Sequence, residues 1–95
     1  IDSLDFYQVS YLSDGLHING FVVAPSQANT LLPVVIFNRG GNRNFASIGI
    51  ETLLEWIAPI ARAGYIVVAS QYRGGGGSEG NDEFGGSDVN DVLNL

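Results

Sequence analysis

Two short runs constrain the fold of this chain most: Pro33-Val-Val-Ile-Phe-Asn-Arg-Gly-Gly41 and Tyr65-Ile-Val-Val-Ala-Ser70. Each carries a continuous apolar, β-branched-rich segment, the pattern of a strand buried on both faces of a parallel sheet. The first stops abruptly on a polar residue, an arginine and two glycines, and the second runs into Gln71-Tyr-Arg-Gly-Gly-Gly-Gly77. Between them, residues 50–63 place Leu53, Leu54, Ile57, Ile60 and Ala61 at helical spacing, a stripe suited to covering a sheet. Strand, helix and parallel strand then follow with the right-handed crossover that such units adopt. Gly64 stands where a left-handed helix cap is wanted. Pro59 lacks a donor and clashes one turn back, so a kink, or a new helical turn beginning near Ala58, is expected.

Upstream, residues 5–12 alternate as a strand, with Phe6, Gln8, Ser10 and Leu12 on one face and Tyr7, Val9 and Tyr11 on the other. Asp14-Gly15 takes the positive φ values of a tight hairpin. Residues 17–24 return as a second strand that Pro25 ends, and residues 26–32 form a polar connection. Downstream, Ser87 is a helix N-cap with an acid in the first turn, and Val89, Val92 and Leu93 begin an apolar stripe. The fold class is α/β: an antiparallel hairpin, a βαβ crossover and the start of a further helix.

Ninety-five residues make at most one small domain, and 45% hydrophobic residues suffice for a packed core. Ten acids oppose four arginines, with no lysine, for a formal charge of -6. That balance argues against nucleic-acid or anionic-membrane partners. Glu79, Asp82, Glu83, Asp88 and Asp91 cluster within residues 79–95 with no base among them, and read as a solvated acidic face. The absence of cysteine excludes disulfides and thiolate metal sites. No His/Asp/Glu cluster has metal-ligand spacing, and Asp82, Glu83 and Asp88 would make at best a weak calcium site, so no metal or cofactor is expected. No apolar stretch reaches the ~18 residues of a membrane helix. The chain opens on Ile1 and closes inside a helical segment, and so reads as cut from something longer.

Gly76-Gly-Ser-Glu-Gly80 spells the G-x-S-x-G of a serine nucleophile elbow. An elbow needs a strand running straight into the serine and a helix directly after it. Here Tyr72 to Gly77 separate the strand from Ser78, and turn chemistry follows, so Ser78 reads as a loop serine. His17, the sole histidine, lies in a strand near the hairpin and reads as structural or solvent-facing. The glycine run lacks the lysine-hydroxyl ending of a phosphate loop and does not open directly into a helix. Arg39-Gly40-Gly41 is the stronger signal. Ester or amide hydrolysis passes through an oxyanion, and backbone donors fixed in advance at that position lower the barrier. Glycines allow the close approach because no Cβ intrudes.

Four stretches together resemble a known family: Ser13 to Phe21, Pro33 to Gly41, Ala63 to Ser70 and Tyr72 to Gly80, with the helix start after Asp88 also fitting. They are similar to the prolyl oligopeptidase-type serine peptidases of the α/β-hydrolase superfamily. The resemblance implies that residues 1–95 are an incomplete catalytic domain, its first four strands, with the Ser, Asp and His of the triad outside this chain. It assigns the backbone N–H groups of Gly40 and Gly41 to the oxyanion-hole loop and makes Arg39 a substrate contact. Many relatives carry tyrosine or histidine where Arg39 stands. The implied activity is that of a serine peptidase or esterase working through an acyl-enzyme, with this chain inactive alone. The implied partners are a peptide or ester substrate and the remainder of the same catalytic domain. The third strand should then show an unpaired edge, and one face of the sheet should lack cover. A non-catalytic α/β module holding an anionic ligand through its Arg/Gly loops is the alternative.

Overall fold

The computed structural model describes residues 3–26, 30–38, 48–81, 86–87 and 89–95. Four strands, β1 (Leu4–Ser13), β2 (Leu16–Pro25), β3 (Val34–Phe37) and β4 (Ile66–Ser70), form one sheet in the order β1-β2-β4-β3. Asp14 and Gly15 have φ of 52° and 76°. Two successive positive φ values give a turn whose twist matches the flanking strands. That turn sets the antiparallel register from Ser13↔Leu16 to Leu4↔Pro25. β4 pairs antiparallel with β2, from Gly20↔Ser70 to Val23↔Val67, and parallel with β3, from Val34↔Ile66 to Phe37↔Ala69.

The connection from β3 to β4 contains the helical stretch that the apolar spacing predicts, in three pieces: α1 (Ile50–Thr52), a π turn (Leu53–Ile57) and α2 (Ala58–Arg62). The Ala58 N–H bonds the Leu53 carbonyl, five residues back, just before Pro59. Proline has no N–H to continue the α ladder and is best housed in a first turn. The register therefore widens by one residue and a fresh helical turn starts at Ala58. Gly64 follows with φ of 105° and donates its N–H to the Ala61 carbonyl at 3.0 Å.

The core lies between this helix and one sheet face: Val23, Ile48, Ile57, Ala61, Val67 and Ala69 are buried, with Leu4, Phe21, Phe37, Leu53 and Ile60 packed against them. Leu54 departs from the expected covering stripe. It is exposed, because Leu53, Ile57, Ile60 and Ala61 define the buried side and Leu54 falls on its flank.

β3 also departs from a strand buried on both faces. It is an edge strand, and on the face away from the helix Val34 and Ile36 are exposed. Among the described residues, β3 thus has the open edge and incomplete cover that the family resemblance implies.

The last helix, α3 (Val89–Leu93), turns its expected stripe outward: Val89 and Leu93 are exposed, whereas Asp91 is fully buried. Asp91 is therefore no part of a solvated acidic face. Its ion pair, described below, fixes the roll of the helix. Among the described residues no helix is long and apolar enough to cross a membrane.

Candidate functional site

Because β3 and β4 are parallel, their carboxyl ends meet at the same border of the sheet, Phe37 beside Ala69. In open α/β sheets ligands bind outside that border. Beyond β3 only Asn38 is described; Arg39, Gly40 and Gly41 lie outside the described residues, as do Asp82, Glu83 and Asp88. Beyond β4 the chain is described through Asn81, and it builds a dense polar knot.

Gln71 starts it. Its amide is buried and pairs both ways with one residue: Oε1 accepts the Ile48 N–H at 2.9 Å, and Nε2 donates to the Ile48 carbonyl at 2.7 Å. The entry to α1 is thereby clamped to the end of β4. Gly76 packs directly on that clamp. Its φ is 54°, and a Cβ there would stand 2.6 Å from both Cγ and Cδ of Gln71. A side chain at position 76 would displace the amide.

Asp91 is the centre of the knot. Its Oδ2 accepts the Arg73 backbone N–H at 2.7 Å, and its Oδ1 accepts Arg73 Nη2 at 2.9 Å and the Ser13 hydroxyl at 2.7 Å. Arg73 Nη2 also reaches Asp14 Oδ2 at 2.8 Å, where Asn90 Nδ2 donates as well. Ser13 Oγ in turn accepts from Asn94 Nδ2 at 3.1 Å. One arginine thus ties the hairpin turn, the loop after β4 and α3 together.

A second thread runs beside it. The Tyr11 hydroxyl contacts the Asp91 carbonyl and lies 2.7 Å from Ser70 Oγ. A carbonyl can only accept, so the single tyrosine proton goes to Asp91 and the serine proton to Tyr11. Ser70 Oγ then accepts the Tyr72 N–H at 3.0 Å.

The electrostatics follow this geometry. Its hydrogen bonds to Asp91, then to Asp14, hold the Arg73 guanidinium protonated even more firmly than usual. Bonds from Arg73, then Asn90, hold the Asp14 carboxyl below its ordinary value. Burial, the largest influence, pushes the Tyr11 phenol up. An arginine bracketed by two carboxylates has little charge left for a ligand, so Arg73 does not serve an anion site.

The glycine loop is laid against β2 rather than around a phosphate. Asn19 Nδ2 donates to the Gly76 carbonyl at 3.0 Å, and the Glu79 N–H donates to the His17 carbonyl at 2.9 Å. Ser78 Oγ accepts the Asn19 N–H at 2.9 Å, and Glu79 Oε1 accepts the His17 N–H at 2.7 Å. Ser78 thus caps a backbone donor, and His17 is exposed and held through its backbone, consistent with their structural readings. Sequence reasoning missed Arg73, Asp91 and Gln71 as a group. One signal was available: Arg73 is the nearest base upstream of the acids in residues 79–95.

No family model matches the chain. A curated relative, the uncharacterized peptidase YtmA of Bacillus subtilis (strain 168), is 30% identical over 87 residues, covering 92% of this chain and 32% of the relative. Among solved structures, brefeldin A esterase, a bacterial homologue of human hormone-sensitive lipase, superposes with a TM-score of 0.76 at 26% identity. That match takes in 98% of this chain and 26% of the esterase. The acylaminoacyl peptidase of Pyrococcus horikoshii shares the fold with a TM-score of 0.69 at 21% identity, over 99% of this chain and 16% of that one. The chain therefore spans about a third of its curated relative. The strand order, the antiparallel hairpin beside a parallel pair, and these likenesses agree: the chain belongs to the α/β-hydrolase superfamily.

Proposed function

We propose that the protein carrying this chain is a serine hydrolase of the prolyl oligopeptidase type, cutting a peptide or ester through an acyl-enzyme, and that residues 1–95 are the first part of its catalytic domain. One observation supports this most. β3 ends at Phe37 on the carboxyl border of the parallel pair, and Arg39-Gly40-Gly41 follows almost at once in the sequence. That is where a loop must stand to offer backbone N–H groups to an oxyanion. In this reading the Gly40-Gly41 pair supplies one oxyanion donor, at roughly 3–4 kcal/mol of barrier, and Arg39 contacts the substrate.

The nucleophile, base and orienting acid come from beyond these residues, and residues 1–95 alone are silent. The commitment of Ser78 and the exposure of His17 support that silence. The names of the relatives, a peptidase, an acylaminoacyl peptidase and an esterase, support acyl transfer without choosing between peptide and ester.

Labelling with a fluorophosphonate, alongside hydrolysis of an activated ester, tests the proposal. The full-length protein should turn over ester and carry the label on a serine outside residues 1–95, while the isolated chain does neither. Turnover by the isolated chain that disappears in Ser78→Ala would sink it.

A further inference from the structure

Tyr72 has φ of 66°, and apart from Asp14 in the hairpin turn it is the one non-glycine residue among those described with positive φ. Bulky L side chains seldom adopt that conformation. Here the neighbours impose it. The Tyr72 N–H is held by Ser70 Oγ at 3.0 Å, and the next N–H, that of Arg73, by Asp91 Oδ2 at 2.7 Å. Both acceptors are buried and themselves pinned, by Tyr11 and by Arg73 with Ser13. The Tyr72 carbonyl accepts the Gly75 N–H at 3.3 Å, which closes the turn.

Glycine would meet this backbone demand without strain, and glycine fills each position from 74 to 77 just beyond. A half-exposed tyrosine stands here instead, at the carboxyl border of β4, where ligands of such sheets bind. Strain that buried surroundings over-determine clusters at active sites and ligand clamps.

We propose that Tyr72 is a specificity-determining residue that forms part of the substrate-cleft wall and receives an apolar or aromatic group flanking the scissile bond. This rests on the serine-hydrolase reading. The Ser70 and Asp91 acceptors act as positioning groups that hold the backbone carrying the ring.

The test uses the full-length protein with Tyr72→Gly, Tyr72→Asn and Tyr72→Phe, the first two being residues that tolerate the left-handed backbone. The ratio of kcat/KM for p-nitrophenyl phenylacetate over p-nitrophenyl acetate is the readout, with melting temperature reporting the fold. Removing the ring should lower the ratio about tenfold or more, the range for losing apolar contact in a pocket, and Phe should restore it. A ratio equal to wild type in the Gly and Asn variants overturns the proposal; if Gly fails to fold, Asn decides. A wild-type protein that hydrolyses neither ester overturns the serine-hydrolase reading and this inference with it. An active wild type with an unmoved ratio overturns this inference alone.

Discussion

β3 and β4 run side by side in the same direction and are similarly rich in valine and isoleucine, yet they differ sharply in burial. At the end of β4 and just past it, Ser70, Gln71 and Arg73 are 1%, 4% and 6% exposed. On β3, Val34 and Ile36 are 58% and 48% exposed. Pleat and register put Ser70, Val68 and Ile66 on one face with Ile36 and Val34. That single face is closed at one end by an ion pair and left as bare hydrocarbon at the other. Burial of a strand is therefore decided by what packs across it, and its own composition only permits the outcome. The polar end is the better sealed because the Arg73 N–H and Nη2 and the Ser13 hydroxyl all meet carboxylate oxygens, and the Gln71 amide meets the Ile48 backbone.

The sharpest way to break this comparison is to remove the buried acid. Asp91→Ala leaves Arg73 without its principal partner and Ser13 without its acceptor. Removing one partner of a buried, hydrogen-bonded pair costs about 3–5 kcal/mol, a large part of the ~5–15 kcal/mol of an ordinary domain. Urea unfolding should show that loss, and amide exchange should rise together in α3 and in residues 72–80. A loss below about 1 kcal/mol, the level of an exposed pair, would mean that the knot does not seal this end.

Residues that act through local geometry were readable from the sequence. Asp14-Gly15 specified its hairpin, and Pro59 announced the restart at Ala58, because turn and helix chemistry depend on near neighbours. The partnership of Arg73 with Asp91 depends on the path of a glycine-rich loop, which side-chain periodicity does not encode. An acid beside Val89, Val92 and Leu93 looked solvent-facing until the loop delivered its arginine. The exposure of Leu54 was hidden for a related reason: apolar spacing fixes a stripe's width only loosely, and the π turn shifts its centre. Of the expected site, Arg39, Gly40 and Gly41 follow β3 in sequence and lie outside the described residues.

Acid titration separates the two carboxylates that share Arg73. Asp14 is the exposed one, and its carboxyl is held below the ordinary 3.8 by Arg73 and then Asn90. A depressed folded-state value means that its contribution is fully present above the unfolded value of about 3.8. That contribution fades as pH falls through the lower folded value. The stability difference between wild type and Asp14→Asn should therefore be constant from neutral pH down to about 4 and shrink below it. It should be small and weaken with added salt, since the pair is open to solvent. A difference that grows toward low pH would contradict the sign.

The smallest effect on stability belongs to the open end of the face. Ile36 is half exposed on an edge strand, so Ile36→Lys removes little packing and adds a charge that solvent can reach. Surface changes of this kind usually stay within about 0.5 kcal/mol, and urea midpoints should barely move. Association should respond instead, because an unpaired edge beside exposed apolar side chains recruits other chains, and lysine on an edge deters this. Sedimentation of the isolated chain should show less self-association in Ile36→Lys than in wild type. If the unfolding free energy fell by several kcal/mol, Ile36 would be buried in solution, and the contrast between the sealed and the bare end of this face would disappear.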